Sequence, residues 1–179
     1  MQWILFIVAG LVALILLLVI AGMLLPRTHV ATSTIELAKP PTEVWGVIRD
    51  LGQVPAFWPD ITSSQRMPDR GGRETWSQTM KNGFVLPLEI DEDRPPHRLV
   101  TRIAIEGKAP FGGTWIYEVS ESGRGSRVRL TEDGFVNNPF FRVGSRVMGH
   151  HATLDSYLRA LGKHFGETVR PAHVAPADK

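Results

Sequence analysis

The feature that most constrains the fold is a periodic stripe close to the C-terminus, between Pro139 and Phe165. Its positions lie three or four residues apart, which is the spacing of one face of an α-helix: Phe140, Val143, Val147, His151, Leu154, Leu158, Leu161 and Phe165. Asn138 is suited to cap the start of this helix, and Gly166 is suited to end it. The pattern therefore predicts one helix about 40 Å long, whose apolar stripe has to be covered by another layer.

The segments between Thr28 and Asp133 supply that layer, because their apolar and polar side chains alternate. Alternation of this kind is typical of antiparallel strands with one solvated face. Two short helical segments follow the first strand, and turn signals such as Asn82-Gly83 separate about six later strands. The sequence has no βαβ rhythm and no internal repeat. We therefore predict an α+β fold in which an antiparallel sheet packs on the C-terminal helix.

An uncharged apolar segment, Trp3 to Leu25, precedes this domain. As a helix it would span about 34 Å, which is sufficient for a hydrocarbon core of roughly 30 Å. A cleaved signal peptide is the alternative, but the segment lacks a basic start and its apolar run exceeds the usual ~7–15 residues. The sequence thus predicts a retained single-pass membrane anchor. Because Arg27 and Lys39 follow the segment and no basic residue precedes it, the positive-inside bias favours a cytoplasmic domain.

These observations divide the chain into three regions. Residues 1–26 are expected to form the anchor and residues 27–166 the folded domain. Residues 167–179 follow the helix stop and are largely polar, so they are expected to form a flexible tail.

Composition excludes several classes of function. Twenty basic and 18 acidic residues give a net charge of +2 without a basic run, so the sequence predicts no nucleic-acid partner. There are no cysteines, hence no disulfide, thiolate metal site or cysteine nucleophile. The six histidines lack metal-ligand spacing on one face, and no phosphate loop, dinucleotide fingerprint or serine nucleophile motif occurs. We therefore expect neither a metal nor a cofactor.

Four stretches carry a resemblance: Ile35 to Trp45, Trp58-Pro59-Asp60, Phe111 to Trp115 and Leu130-Thr131-Glu132. They resemble the START-like (SRPBCC) superfamily of polyketide cyclase/dehydrase and lipid transport proteins, and the similarity covers roughly residues 28–166. The resemblance implies a helix-grip fold, in which a curved antiparallel sheet wraps around a long C-terminal helix and encloses a ligand cavity. Members of the superfamily bind lipids, sterols, quinones, hormones or polyketides, and only some are enzymes.

The inward faces of the strands and the helix stripe contain the candidate ligand-binding residues. They are Trp76, Phe84, Leu88, Ile103, Trp115, Tyr117, Leu130, Glu132, Gly144, Val147 and His151. The aromatic side chains could equally fill the core, as most inward aromatics do. Gly144 favours a cavity, because glycine inside a helix costs about 1 kcal/mol relative to alanine and a small residue there leaves space. Close approach of helix and sheet is the alternative explanation.

Glu132 and His151 are the candidate catalytic residues. Glu132 shares the inward phase of its strand with Val128 and Leu130, and His151 lies on the helix stripe, so together they could act as general acid and base. The alternatives are a solvated or arginine-paired carboxylate and a histidine that only packs.

Three functional hypotheses follow. The leading one is a membrane-anchored domain that binds a hydrophobic small molecule, such as a lipid or an isoprenoid quinone, in the sheet–helix cavity. The second is a cyclase or dehydratase that uses Glu132 and His151. The third is a tethered interaction module whose cavity is collapsed.

Overall fold

The computed structural model describes residues 2–105 and 107–175. Within these ranges the chain forms five α-helices, one short 3₁₀ turn (Leu51–Gln53) and eight strands. The helices are α1 (Gln2–Leu24), α2 (Pro41–Arg49), α3 (Val54–Phe57), α4 (Pro139–Met148) and α5 (Ala152–His164). The strands are β1 (Thr28–Leu37), β2 (Ile61–Arg70), β3 (Arg73–Met80), β4 (Val85–Arg94), β5 (Arg98–Ile103), β6 (Phe111–Ser122), β7 (Gly125–Val136) and β8 (Ala172–His173).

The strands form one curved sheet, which confirms the predicted α+β helix-grip fold. Their order is β2-β3-β4-β5-β6-β7-β1-β8, and every neighbouring pair is antiparallel. Strands β2 to β7 pair in the order of the sequence, as a meander, and β1 pairs with β7 over its whole length. Side chains therefore alternate between a covered and a solvated face, as the sequence pattern requires.

Helix α5 covers the sheet across β1 and β7. Its buried face consists of Leu154, Tyr157, Leu158 and Leu161, and these side chains form one core with apolar residues of β1, β6, β7 and the short helices. At about 25 cal/mol per Å² of buried apolar surface, these contacts are the main stabilising term of the domain.

The single helix predicted from Pro139 to Phe165 is two helices in the structure. Gly149 adopts a φ of +83° and ends α4, and the chain turns before α5 begins at Ala152. The first half of the predicted stripe consequently leaves the sheet, so that Val147 is 82% exposed whereas Leu154 is fully buried. The spacing of apolar residues continues through the break, so the sequence pattern alone does not show where the helix ends.

Helix α1 is long and apolar enough to cross a membrane. An N-terminal signal sequence can have the same length and composition. Most of its side chains are exposed, but its last turns pack against α4, where Gly22 is buried. A Cβ atom at Gly22 would lie only 2.2 Å from the carbonyl oxygen of Pro139, so glycine permits the close approach of the two helices. Met1, which the predicted anchor includes, lies outside the described residues.

The segment after α5 is not the flexible tail that the sequence predicted. Residues 172–173 form β8 and pair with Ser33 and Thr34 of β1. The Glu167 carboxylate accepts a hydrogen bond from the backbone N–H of Ala38 at 3.0 Å, and Val169 packs on the core. Apolar and polar contacts of this kind hold residues 167–175 on the domain; the predicted tail residues 176–179 lie outside the described part of the chain.

Candidate functional site

A cavity of about 220 Å³ lies between the sheet and the helices. Its lining is predominantly apolar and aromatic, with few polar side chains, which is the usual composition of a small-molecule pocket. The lining residues are Leu51, Val54, Trp58, Ile61, Gln78, Met80, Leu86, Leu88, Thr101, Ile103, Phe111, Trp115, Tyr117, Glu132, Thr153 and Tyr157.

The alternation of side chains along each strand explains which residues of the sheet line the cavity. Pairs of residues two positions apart point to the same side of a strand. Gln78 and Met80 on β3, Leu86 and Leu88 on β4, and Trp115 and Tyr117 on β6 each contribute in this way. The helices close the opposite side with residues of α3, α5 and the 3₁₀ turn.

An aromatic cluster forms one wall of the cavity. Tyr157 of α5 meets Trp58, Trp115 and Tyr117 edge to face, with ring centroids 5.3–5.8 Å apart. Edge-to-face pairs add about 0.5–1.5 kcal/mol each beyond simple burial. The cluster therefore gives the cavity a rigid wall.

Trp58 is held by a chain of hydrogen bonds. Its Nε1–H donates to Ser156 Oγ at 3.1 Å, and the Ser156 hydroxyl donates to Asp60 Oδ2 at 3.0 Å. A hydrogen bond from Lys81 keeps the pKa of Asp60 below its ordinary value, so the carboxylate stays ionised. These contacts fix the indole at the border between the core and the cavity.

Two buried phenols, those of Tyr117 and Tyr157, are among the polar groups of the wall. Burial raises the pKa of Tyr117 and of Tyr157 well above the ordinary value, because a phenolate would be poorly solvated there. Both hydroxyls are therefore neutral at physiological pH and can donate hydrogen bonds. Tyr117 also has Thr101 as a hydrogen-bonding partner.

The cavity leads to a mouth of about 400 Å³ between α4 and the sheet. Ile103, Phe111, Glu132 and Thr153 line both spaces. On the helix side the mouth is lined by Phe140, Phe141, Gly144 and Met148, among others. A Cβ atom at Gly144 would meet nothing within 4 Å, so the glycine borders open space. It does not serve a close contact between helix and sheet.

Glu132 stands where the cavity meets the mouth, but its partner is not the predicted one. Its Oε1 lies 3.2 Å from Nε2 of His29, and the His29 ring stacks on His150 with centroids 4.2 Å apart. Burial is the main cause that lowers the pKa of His150, and electrostatic interactions with His29 and Arg146 lower it further. Glu132 thus belongs to a cluster with His29 and His150, whereas His151 points elsewhere.

His151 belongs to a separate polar cluster under the C-terminal segment. Its Nδ1 lies 3.2 Å from Ser33 Oγ, and its ring stacks on His173 with centroids 3.8 Å apart. Ser33 donates to Asp155 Oδ1 at 2.8 Å, and His173 Nε2 lies 3.0 Å from Asp155 Oδ2. Because Ser33 is fully buried, this cluster holds β8 in place and offers no hydroxyl to a substrate.

The structure brings together five of the predicted ligand-binding residues around the cavity and one at its mouth. Leu88, Ile103, Trp115, Tyr117 and Glu132 line the cavity, and Gly144 lines the mouth. Their role in binding stays a prediction.

The other five predicted residues line neither space, each for a local reason. Leu130 is fully buried in the core, and Val147 is exposed because α4 turns away from the sheet. Trp76 packs beside the core and donates from Nε1 to Glu74 at 2.7 Å, and Phe84 packs on Phe111. His151 is held by Ser33 and His173, as described above.

The predicted set of ligand-binding residues omits several that line the cavity, among them Tyr157 and the residues of the short helices. Tyr157 shares the face of Leu154 and Leu161, at steps of three and four residues, so the helical spacing could have identified it. Leu51, Val54 and Trp58 carry no such signal, because their segment is too short for a periodic pattern. In residues 2–105 and 107–175, no group of three His, Asp or Glu side chains is placed to hold a metal ion.

Comparison with known proteins supports the same architecture. A family model described as polyketide cyclase / dehydrase and lipid transport matches residues 28–163. A comparison with curated proteins gives no match.

Solved structures share the fold at low sequence identity. A conserved protein from Geobacillus kaustophilus is 15% identical, with a TM-score of 0.63 over 81% of this chain and 100% of that one. Protein Ms6760 from Mycobacterium smegmatis is 23% identical, with a TM-score of 0.53 over 76% of this chain and 90% of that one. The di-domain ARO/CYC BexL of the BE-7585A biosynthetic pathway is 14% identical, with a TM-score of 0.63 over 82% of this chain. The alignment covers 52% of BexL, so the chain spans about half the length of that di-domain protein.

Proposed function

The chain belongs to the polyketide cyclase/dehydrase and lipid transport family, and from that premise we propose that its domain binds a hydrophobic small molecule in the sheet–helix cavity while α1 anchors it to a membrane. The observation that carries the proposal is the cavity itself, an apolar space of about 220 Å³ that opens into a mouth of about 400 Å³. Ligand pockets commonly measure about 300–1,000 Å³, so the two spaces together suit a lipid or isoprenoid-like molecule. The neutral hydroxyls of Tyr117 and Tyr157 can donate to one polar group of such a ligand.

The anchor is supported by the character of α1. Its 23 residues would span about 34 Å as a helix, slightly more than a hydrocarbon core of roughly 30 Å. The apolar side chains of α1 are exposed over most of its length, an arrangement that lipid would satisfy and water would not. Arg27 and Lys39 follow it closely, so the positive-inside bias favours a cytoplasmic domain on a single-pass anchor.

Native mass spectrometry of the full-length chain, gently extracted from its own membranes, tests the proposal. We expect one apolar molecule per chain, recovered and identified after release. Leu88→Trp places a larger side chain in the cavity and should remove the molecule. Val85→Trp is the matched control, because Val85 is exposed on the same strand and lines neither space. Bare wild-type protein that also fails to take up an apolar fluorescent probe in detergent would contradict the proposal.

A second candidate function is cyclase or dehydratase chemistry at Glu132. It is favoured by one observation, the placement of Glu132 at the border of cavity and mouth with His29 at 3.2 Å. A carboxylate beside an imidazole can exchange a proton with a bound substrate. If this chemistry occurs, the molecule retained by Glu132→Gln should differ in composition from the molecule retained by the wild type, since the variant would hold unreacted substrate. Identical molecules in both would support binding and transport.

A further inference from the structure

Helix α4 presents an apolar face that the rest of the described chain leaves uncovered. Phe140, Phe141, Val147 and Met148 are 45%, 53%, 82% and 74% exposed. At about 100° per residue they fall, with Gly144, within an arc of about 120°, and Arg142 and Arg146 lie on the opposite side. A helix with aromatic and aliphatic residues on one face and arginines on the other has the character of an interfacial membrane helix.

The contacts of Arg142 fix where this face lies relative to α1. Its Nη1 donates to the carbonyl oxygens of Gly22 at 2.8 Å and Leu25 at 3.2 Å, and its Nη2 donates to the carbonyl oxygen of Asn137 at 2.8 Å. The start of α4 is therefore bound to the last turn of α1. If α1 crosses a membrane, that turn lies where the hydrocarbon meets the headgroups, and α4 begins at the same depth.

The exposed face of α4 is continuous with the mouth of the cavity. Phe140, Phe141 and Met148 line the mouth as well as the outer surface. An apolar molecule that passes over this face would thus reach the cavity between Ile103 and Phe111, beside the carboxylate of Glu132.

The charge around α4 also suits a membrane surface. A pocket at the end of α1 is lined by Arg27, Arg142 and Arg146, together with His29 and His150. Arg142 is buried and donates to backbone carbonyls, whereas Arg27 and Arg146 are exposed, and in the described part of the chain no carboxylate pairs with either of these two. Each basic residue near an anionic leaflet contributes about 1 kcal/mol of attraction, so phospholipid headgroups are suitable partners for this side of the helix.

We propose that α4 lies in the interface of the membrane that α1 crosses, with Phe141, Val147 and Met148 among the acyl chains. The mouth then opens towards the bilayer, and the ligand passes laterally between lipid and cavity without entering water. The inference rests on the proposed anchor and the proposed cavity ligand, and its partner is a lipid bilayer.

Depth-dependent quenching tests the position of α4. Because the chain has no cysteine, Val147→Cys can carry a single environment-sensitive fluorophore in the full-length protein, reconstituted into phosphatidylcholine vesicles with and without phosphatidylglycerol. Lipids with a nitroxide high on the acyl chain should quench this label several-fold more than a label at the control site Val85→Cys. Equal and weak quenching at both sites would overturn the proposal. A Val147 label that is shielded from the nitroxide lipids and shows energy transfer between labelled chains would also overturn the proposal, because a second copy of the protein would then cover the face.

The transfer of a fluorescent fatty acid between vesicles and protein tests the route. Val147→Glu places a charge among the acyl chains and should slow transfer about tenfold. Val85→Glu changes another exposed valine, one that lines neither space, and should not slow it. The affinity for the fatty acid in detergent should be the same in both variants and the wild type. Unchanged transfer in Val147→Glu would overturn the lateral route.

Failure of the proposed function can be distinguished from failure of the proposed position of α4. Loss of binding in detergent by the wild type would refute the cavity ligand, while the quenching result would still decide the depth of α4. A mature chain whose mass shows that α1 has been removed would refute both the anchor and the position of α4.

Discussion

Nη1 of Arg142 donates a hydrogen bond to the carbonyl oxygen of Gly22 at 2.8 Å, across 120 residues of sequence. The carbonyls in the last turn of an α-helix have no partner within their own helix, and here the guanidinium supplies one. Arg142 is buried in the process, at 6% exposure. The domain and the N-terminal helix are therefore joined by more than the short connection at Pro26, and changes at this contact should alter α4.

The contact at Gly22 should not tolerate a side chain. In Gly22→Leu the new Cβ would lie 2.2 Å from the carbonyl oxygen of Pro139, so α1 and α4 must separate. Overpacking of this kind costs about 1–3 kcal/mol, and amide hydrogen exchange in residues 139–148 should accelerate about tenfold or more. Gly10→Leu is the control in the same helix, because a Cβ at Gly10 meets nothing within 4 Å. Equal exchange in the two variants would contradict the packing of α1 on α4.

Gly144→Leu should separate stability from ligand access. Replacing a glycine inside a helix stabilises it by about 1 kcal/mol, and a Cβ at Gly144 enters open space, so thermal unfolding should occur at a higher temperature. The leucine would also narrow the mouth, so uptake of an apolar probe should slow several-fold. Gly46→Leu, at an equally open helical glycine on α2, should raise stability without slowing uptake. If uptake is unchanged in Gly144→Leu, the mouth is not the route and the interpretation of a closed interaction module gains support.

Glu132→Gln should leave the fold intact. The variant keeps the size of the side chain and changes only its contact with the His29 ring at 3.2 Å, which is partly exposed and is expected to contribute less than about 1 kcal/mol. Chemical denaturation should therefore give a midpoint close to that of the wild type, and an apolar probe should still bind. A large loss of stability would show that the carboxylate is a structural group, and retained stability with an altered bound molecule would favour the enzyme hypothesis.

Stability should fall as the pH is lowered through the range in which an unperturbed histidine titrates. Burial and the neighbouring His173 lower the pKa of His151. In the unfolded chain this group binds a proton near its ordinary pKa of about 6.5, whereas in the fold it does so only at lower pH. At pH values between the folded-state pKa and the unfolded-state pKa of His151, the unfolded state thus binds more protons than the folded state. In that range His151 makes the stability rise with pH.

His151→Asn provides the measurement for this prediction. An asparagine amide can replace the hydrogen bond of Nδ1 to Ser33 without titrating. The slope of unfolding free energy against pH, between pH 7 and pH 5, should be smaller in the variant than in the wild type. An unchanged slope in His151→Asn would contradict the assignment.

Local pattern was sufficient to predict the sheet and its covered face, and the family resemblance implied a cavity there. The alternation along β4 and β6 placed Leu88, Trp115 and Tyr117 on the covered face, because strand geometry sends every second side chain to one side whatever the surroundings. The same reasoning placed Glu132 in phase with the buried Leu130. The length and composition of α1 were readable directly from the sequence for a similar reason.

Long-range packing decided the remaining features. The spacing of apolar residues continues through Gly149, so only the positive φ of that glycine and the docking of α4 on α1 reveal where the helix breaks. His29 reaches Glu132 because β1 pairs with β7, a contact across 103 residues that no local pattern encodes. The cavity walls from the short helices, and the pairing of residues 172–173 with β1, arise in the same way. Periodicity determines which side of an element faces inward, whereas the partner it meets there depends on how the whole chain packs.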